Sequence, residues 1–142
     1  MSMRLRRVVL KCAGAMLVGL GLIHLAVTPI IAQFIRQNAI PTELEWFAPP
    51  MLLNHVVVGI LLLPLGILTY YAASFAVAGE KWALIVVRTT AVSTILLPVA
   101  LFLLMGTRYF EAVPFVIASV LVSLASVFLL LSAFWPSRSS AA

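Results

Sequence analysis

Polar residues interrupt this chain at only a few places and divide it into four long apolar runs, over residues 9–29, 51–76, 83–105 and 113–134. Each matches the roughly 20 residues that a helix rising 1.5 Å per residue needs to cross a hydrocarbon layer about 30 Å thick. In lipid a lone segment satisfies its backbone hydrogen bonds only as a helix, so the pattern predicts four helices. The connections at Val77–Trp82 and Gly106–Ala112 are short and fold them into antiparallel hairpins. The expected fold is therefore all-α: an integral membrane four-helix bundle of two hairpins. It forms a single transmembrane domain over 1–142, with a short polar tail at 136–142.

The first run begins behind a basic segment, MSMRLRRVVLK, and continues from Cys12 to Ala32, broken by His24 and Thr28. It is longer than the apolar core of a signal peptide and no A-x-A site follows, so an uncleaved first span is expected. Pro29 lacks an amide donor and crowds the preceding turn, which predicts an end or a kink near Thr28. Two courses are then open to the next residues. Ile30, Ile31, Phe34 and Ile35 alternate with Gln33, Arg36, Gln37 and Asn38 in a way that suits a short interfacial helix. Alternatively, the first span simply continues. The choice sets the depth of His24: about one turn below the interface, or roughly 18 Å deep if the helix runs to Arg36. Only the first course is expected to bring His24 and His55 to one depth. Residues 30–50 form the outer loop, with Glu43 and Glu45, interface anchors Trp46 and Phe47, and Pro49–Pro50 before the second span.

Composition agrees with this class and narrows it. Hydrophobic residues make up 64% and charged residues 9% of the 142 positions, which leaves no room for a separate soluble domain. The net charge of +5 comes from basic residues spread around the spans, where topology and anionic lipid explain them better than nucleic acid does. With the N-terminus inside, Arg4, Arg6, Arg7, Lys11, Lys81, Arg88 and Arg138 lie on the cytoplasmic side and Arg36 and Arg108 outside. The orientation is N-in, C-in, and the expected location is the bacterial cytoplasmic (inner) membrane. A single cysteine, Cys12, excludes an intramolecular disulfide, a redox pair and a cysteine metal cluster; its expected role is packing.

Helical periodicity places small and polar residues on shared faces. On the second span His55, Gly59, Leu62, Gly66 and Tyr70 form one stripe, and on the first Gly14, Gly21, His24 and Thr28 fall within a similar arc. Both histidines are thus expected to point into protein, beside glycines that let helices approach closely. Ser119, Ser123 and Ser126 form a small-polar stripe on the fourth span, with Thr90, Ser93 and Thr94 of the third as partners. The candidate constellation is His24 and His55 with Asn54 beside them, and Glu43, Glu45, Arg108, Tyr109 and Glu111 in the outer loops. Imidazole with carboxylate is a donor set for a metal ion or a proton relay, and His24, His55 and Glu43 are the candidate ligands. A haem would need a wide gap between spans, against which the glycines argue.

No catalytic motif stands out, and every carboxylate falls in a connection, which disfavours proton-coupled export through an intramembrane carboxylate. Two functions remain. One is a non-enzymatic subunit or accessory factor in the lipid bilayer, packing through the Gly14, Gly21, Gly59 and Gly66 faces and the serine face against a second copy or a larger membrane complex. The other is a membrane enzyme or a redox or metal-binding component using His24 and His55 near the outer interface.

Overall fold

The computed structural model describes residues 1–37, 48–106 and 113–135. They form α1 (Met3–Gln37), α2 (Ala48–Ala78), α3 (Lys81–Met105) and α4 (Val113–Ala133), each with a stretch long and apolar enough to cross a membrane. The helices pack in a ring in which each touches the one before and the one after, with α4 closing against α1. The chain is thus a small multi-pass four-helix bundle. Its proximal end carries the N-terminus and the α2–α3 turn, and its distal end carries the other two connections.

Of the two courses open after Pro29, the chain takes continuation: α1 runs unbroken through the proline to Gln37. Pro29 forfeits one backbone hydrogen bond, whereas ending the helix there would forfeit the ladder of about two further turns. The Thr28 hydroxyl adds a bond at the same turn by donating to the His24 carbonyl at 2.7 Å. Pro64 and Pro98 are carried inside α2 and α3 in the same way. All the helices but α4 outlast their apolar runs, because the backbone ladder continues where the side chains turn polar.

The α2–α3 turn shows how tightly the sequence can reverse. Gly79 adopts φ 91°, a conformation that favours glycine, and two bonds close the end of α2: Gly79 N–H to the Ala76 carbonyl at 3.2 Å and Glu80 N–H to the Phe75 carbonyl at 3.0 Å. The Glu80 carbonyl then accepts the Leu84 N–H at 3.0 Å, which starts α3 at once.

Burial is concentrated at the proximal end. Leu10, Ala13, Leu17, Ala72, Ala73, Ala76, Ala83, Val87, Ala91, Ala125, Leu129 and Ala133 are closed off from solvent, and alanine at so many of these positions keeps the helices near one another. On the distal side of Gly21, Gly59, Thr94 and Ser119 none of the residues whose burial is described is buried. Among the residues whose burial is described, the bundle is packed shut at the proximal end and its helices are more accessible toward the distal one.

The closest approach is between α1 and α2. A Cβ built on Gly14 would lie 2.8 Å from the Gly66 carbonyl oxygen, and one on Gly66 would lie 2.6 Å from that of Gly14. Seven residues further along each helix the contact repeats, with a Cβ on Gly21 at 2.9 Å from the Gly59 oxygen. Here backbone packs on backbone, and adding a methyl must drive the helices apart. Gly14 and Gly66 meet backbone atoms that cannot rotate away, whereas Gly59 would first meet the flexible Leu25 side chain, at 2.9 Å. Gly66→Ala and Gly14→Ala are therefore expected to destabilise the bundle by about 1–3 kcal/mol, and Gly59→Ala by less. Equilibrium unfolding in mixed micelles measures this order; equal costs at all these positions would contradict backbone-on-backbone packing.

Candidate functional site

The glycine rungs lead directly to the histidines. Three residues beyond Gly21 on α1 is His24, and four residues before Gly59 on α2 is His55. The next rung of the seam is therefore an imidazole pair, with ring centroids 4.7 Å apart and planes inclined by 56°. Helical spacing puts each histidine on the face that its glycine occupies, and the backbone approach at the glycines brings those faces within reach.

This juxtaposition corrects one expectation. The rings meet although α1 does not end at Pro29, because the two helices are staggered. His24 is followed by 13 residues of α1, to Gln37, while His55 is preceded by seven of α2, from Ala48, so α1 overhangs by six residues. At 1.5 Å per residue that is about 9 Å, which carries Gln33, Arg36 and Gln37 past the start of α2.

The protonation of His24 follows from its hydrogen bond. Its Nδ1 lies 3.0 Å from the Leu20 carbonyl oxygen, which can only accept, so Nδ1 carries the proton and the neutral ring presents a bare Nε2. On the facing ring, His55 Nε2 is buried and has no hydrogen-bond partner among the described residues. Both side chains are only half-buried. Histidines that ligate a metal commonly donate their other ring N–H to a backbone carbonyl in this way, which fixes the tautomer and aims the other nitrogen.

The ring separation discriminates between cofactors. Two imidazoles on one ion at an angle between square and tetrahedral have centroids about 4.5–5 Å apart, from a metal–nitrogen bond of about 2 Å and about 1.1 Å from nitrogen to ring centre. Imidazoles on opposite faces of a haem would be about 6 Å apart by the same reckoning. The observed 4.7 Å falls in the first range, which is also that of two rings in plain contact. Among the described residues no group of three or more His, Cys, Asp or Glu comes together, so the described protein donors are the two imidazoles. Glu43, the third candidate ligand, lies outside the described residues, as do Glu45, Arg108, Tyr109 and Glu111. Asn54 is exposed.

The remaining candidates lie along the helix faces of the bundle. Gly14, Gly21, Gly59 and Gly66 face one another across α1 and α2. Ser119 and Ser126 are buried, while Ser123 is half-buried and lines an apolar groove between α3 and α4 with Pro98, Leu101, Phe102 and Leu124. The hydroxyls of Ser126 and Thr94 donate to carbonyls of their own helices, those of Val122 at 2.7 Å and Thr90 at 2.8 Å. Cys12, expected to pack, is exposed.

One residue escaped the sequence reading. Arg6 is 6% exposed, and its Nε donates to the Ser132 carbonyl at 2.7 Å. A signal was present: Arg6, Leu10, Ala13, Leu17 and Leu20 follow a spacing of four and three, so Arg6 continues the buried stripe of α1.

Scans against protein-family models, curated proteins and solved structures gave no match for this chain. Nitrogen NMR of protein labelled at histidine tests the geometry directly. At a pH where the ring is neutral, His24 should show a protonated Nδ1 and a bare Nε2; the opposite tautomer would mean that the Leu20 contact is not a hydrogen bond.

Proposed function

We propose that this protein is a small integral membrane protein that binds one late first-row transition metal ion through His24 and His55. The carrying observation is the facing imidazole pair, one ring held by Nδ1 and the other presenting a buried, unpartnered nitrogen. Burying a polar nitrogen without a partner costs free energy, and a metal ion is a partner that satisfies both rings at once. Neutral imidazole favours zinc, copper, nickel and cobalt over the oxygen-seeking magnesium and calcium.

In this reading the pair is a binding site. Two fixed ligands leave coordination positions for water or for a donor from another molecule. The open distal end supplies the path by which an ion arrives. On the N-in orientation that the charge distribution favours, that end faces outward, the periplasm if the membrane is bacterial. The accessory-factor reading drew on the glycine faces, and α1 and α2 spend those on each other, so the imidazole pair has the stronger claim.

Titration of metal-free protein in detergent with Zn2+, followed by calorimetry, should show one saturable site per chain. Cu2+ should give an electron paramagnetic resonance spectrum with nitrogen coupling. His24→Ala and His55→Ala should each weaken Zn2+ binding by at least about tenfold, and Mg2+ should not compete. Zn2+ binding unchanged in the double variant, or no saturable binding by the wild-type protein, rules the proposal out.

A further inference from the structure

At the proximal end a second polar cluster stands apart from the histidines. Helix α4 ends at Ala133, and its last carbonyls are met by arginines from both neighbouring helices. Arg6 of α1 donates its Nε to Ser132 at 2.7 Å, and Arg88 of α3 donates its Nε to Ala133 at 3.4 Å. The Arg88 guanidinium also lies over the Phe134 ring, 5.4 Å from its centre, which restrains its plane. The carbonyl end of a helix attracts cations, and this explains why the two side chains point here.

It does not balance their charge. A helix C-terminus carries about half a negative charge, against two full positive charges converging on adjacent carbonyls. Glu80 is the one carboxylate within the described residues, and no ion pair joins it to either arginine. Each Nε is occupied, while the terminal nitrogens of both guanidiniums have no hydrogen-bond partner among the described residues. Guanidinium forks of this kind match the oxygens of a phosphate. Like charges held together, one of them 6% exposed, call for an anion between them.

Depth indicates which anion. From Arg6 to His24, α1 rises through 18 residues, about 27 Å, which is close to one hydrocarbon thickness. Arg6 stands with Arg4, Arg7 and Lys11 in the basic segment ahead of the apolar run, and Arg88 reaches the same end of α4, so the pair belongs at the level of the proximal headgroups. We infer that Arg6 and Arg88 form a binding site for the phosphate of an anionic phospholipid, seated at the C-terminus of α4 in the proximal leaflet. The site is independent of the histidine pair.

Native mass spectrometry of the full chain, released from vesicles containing phosphatidylglycerol and phosphatidylcholine, tests it. The wild-type protein should retain one phosphatidylglycerol in preference to phosphatidylcholine. Arg88→Gln should lower that occupancy about fivefold, as removing about 1 kcal/mol of cationic attraction would. Arg7→Gln, at an exposed arginine on the same end, should leave it unchanged. Arg6→Gln should act as Arg88→Gln does, and because Arg88 is exposed, its variant keeps the test open if the buried substitution prevents folding. Equal losses in Arg7→Gln and Arg88→Gln would reduce the effect to diffuse charge and overturn the site. Absence of lipid preference, with millimolar inorganic phosphate stabilising the protein in an Arg88-dependent way, would overturn the lipid assignment.

Discussion

The contact on which the rest of this structure depends is backbone against backbone, at Gly14 with Gly66 and Gly21 with Gly59. Lipid chains are as apolar as leucine, so helices inside a bilayer gain little from merely burying apolar side chains and associate through close packing. The paired glycines allow that approach, and their equal seven-residue spacing on both helices fixes the register as well as the distance. A straight helix drifts only about 20° per seven residues, so two rungs one heptad apart stay aligned. The seam continues on either side of the glycines: Lys11 Nζ lies over the Tyr70 ring, 5.1 Å from its centre, at one end, and the imidazoles meet at the other. The separation of the two rings is thus a property of the glycines as much as of the histidines.

Much of this was legible from the pattern of residues along the chain. Four apolar runs announce four helices, and helical periodicity places His55 with Gly59 and Gly66, and His24 with Gly21. Periodicity assigns residues to a face but leaves free how far one helix slides along another, which is where the expectation about Pro29 failed. It tied the depth of each histidine to the end of its own helix, whereas depth depends on the stagger between helices. The clue was in the chain, since glycines seven apart on both helices admit one register that pairs them all. The serine stripe was placed correctly on α4, but Ser126 and Thr94 donate within their own helices. A hydroxyl always has a carbonyl one turn back, and no spacing rule tells which partner it takes.

Arg6 shows the complementary limit. Its place on the buried stripe of α1 was readable, but a charge on such a stripe looks like the end of the pattern, not a member of it. What admits it is the terminus of α4, whose carbonyls supply acceptors for a guanidinium already out of water. A buried cation is tolerable where a helix end and an anion converge on it, and that condition is tertiary.

The division of the bundle into a closed proximal half and an open distal half bears directly on what the imidazole pair can hold. Two neutral ligands do nothing to reduce the charge of a divalent ion, and a bare dication in hydrocarbon is prohibitively unfavourable. The pair is a credible site only if water or an anion can reach the remaining coordination positions. On the proposed reading both conditions come from α1: His24 stands about 27 Å along the axis from Arg6 in the basic first turns, close to one hydrocarbon thickness, and burial on α1 stops at Gly21, one turn short of the ring. The closed half, anchored by alanine and glycine packing, holds the two helices rigid, and the open half leaves their first unburied rung within reach of the interface. Moved one heptad inward, the same two histidines would take the places of Leu17 and Leu62 in the buried core, where a hydrogen bond between neutral rings would suit them better than an ion. On the proposed reading, location in the bundle, more than ligand identity, is what would let His24 and His55 hold a metal ion where a packed polar pair would otherwise suffice.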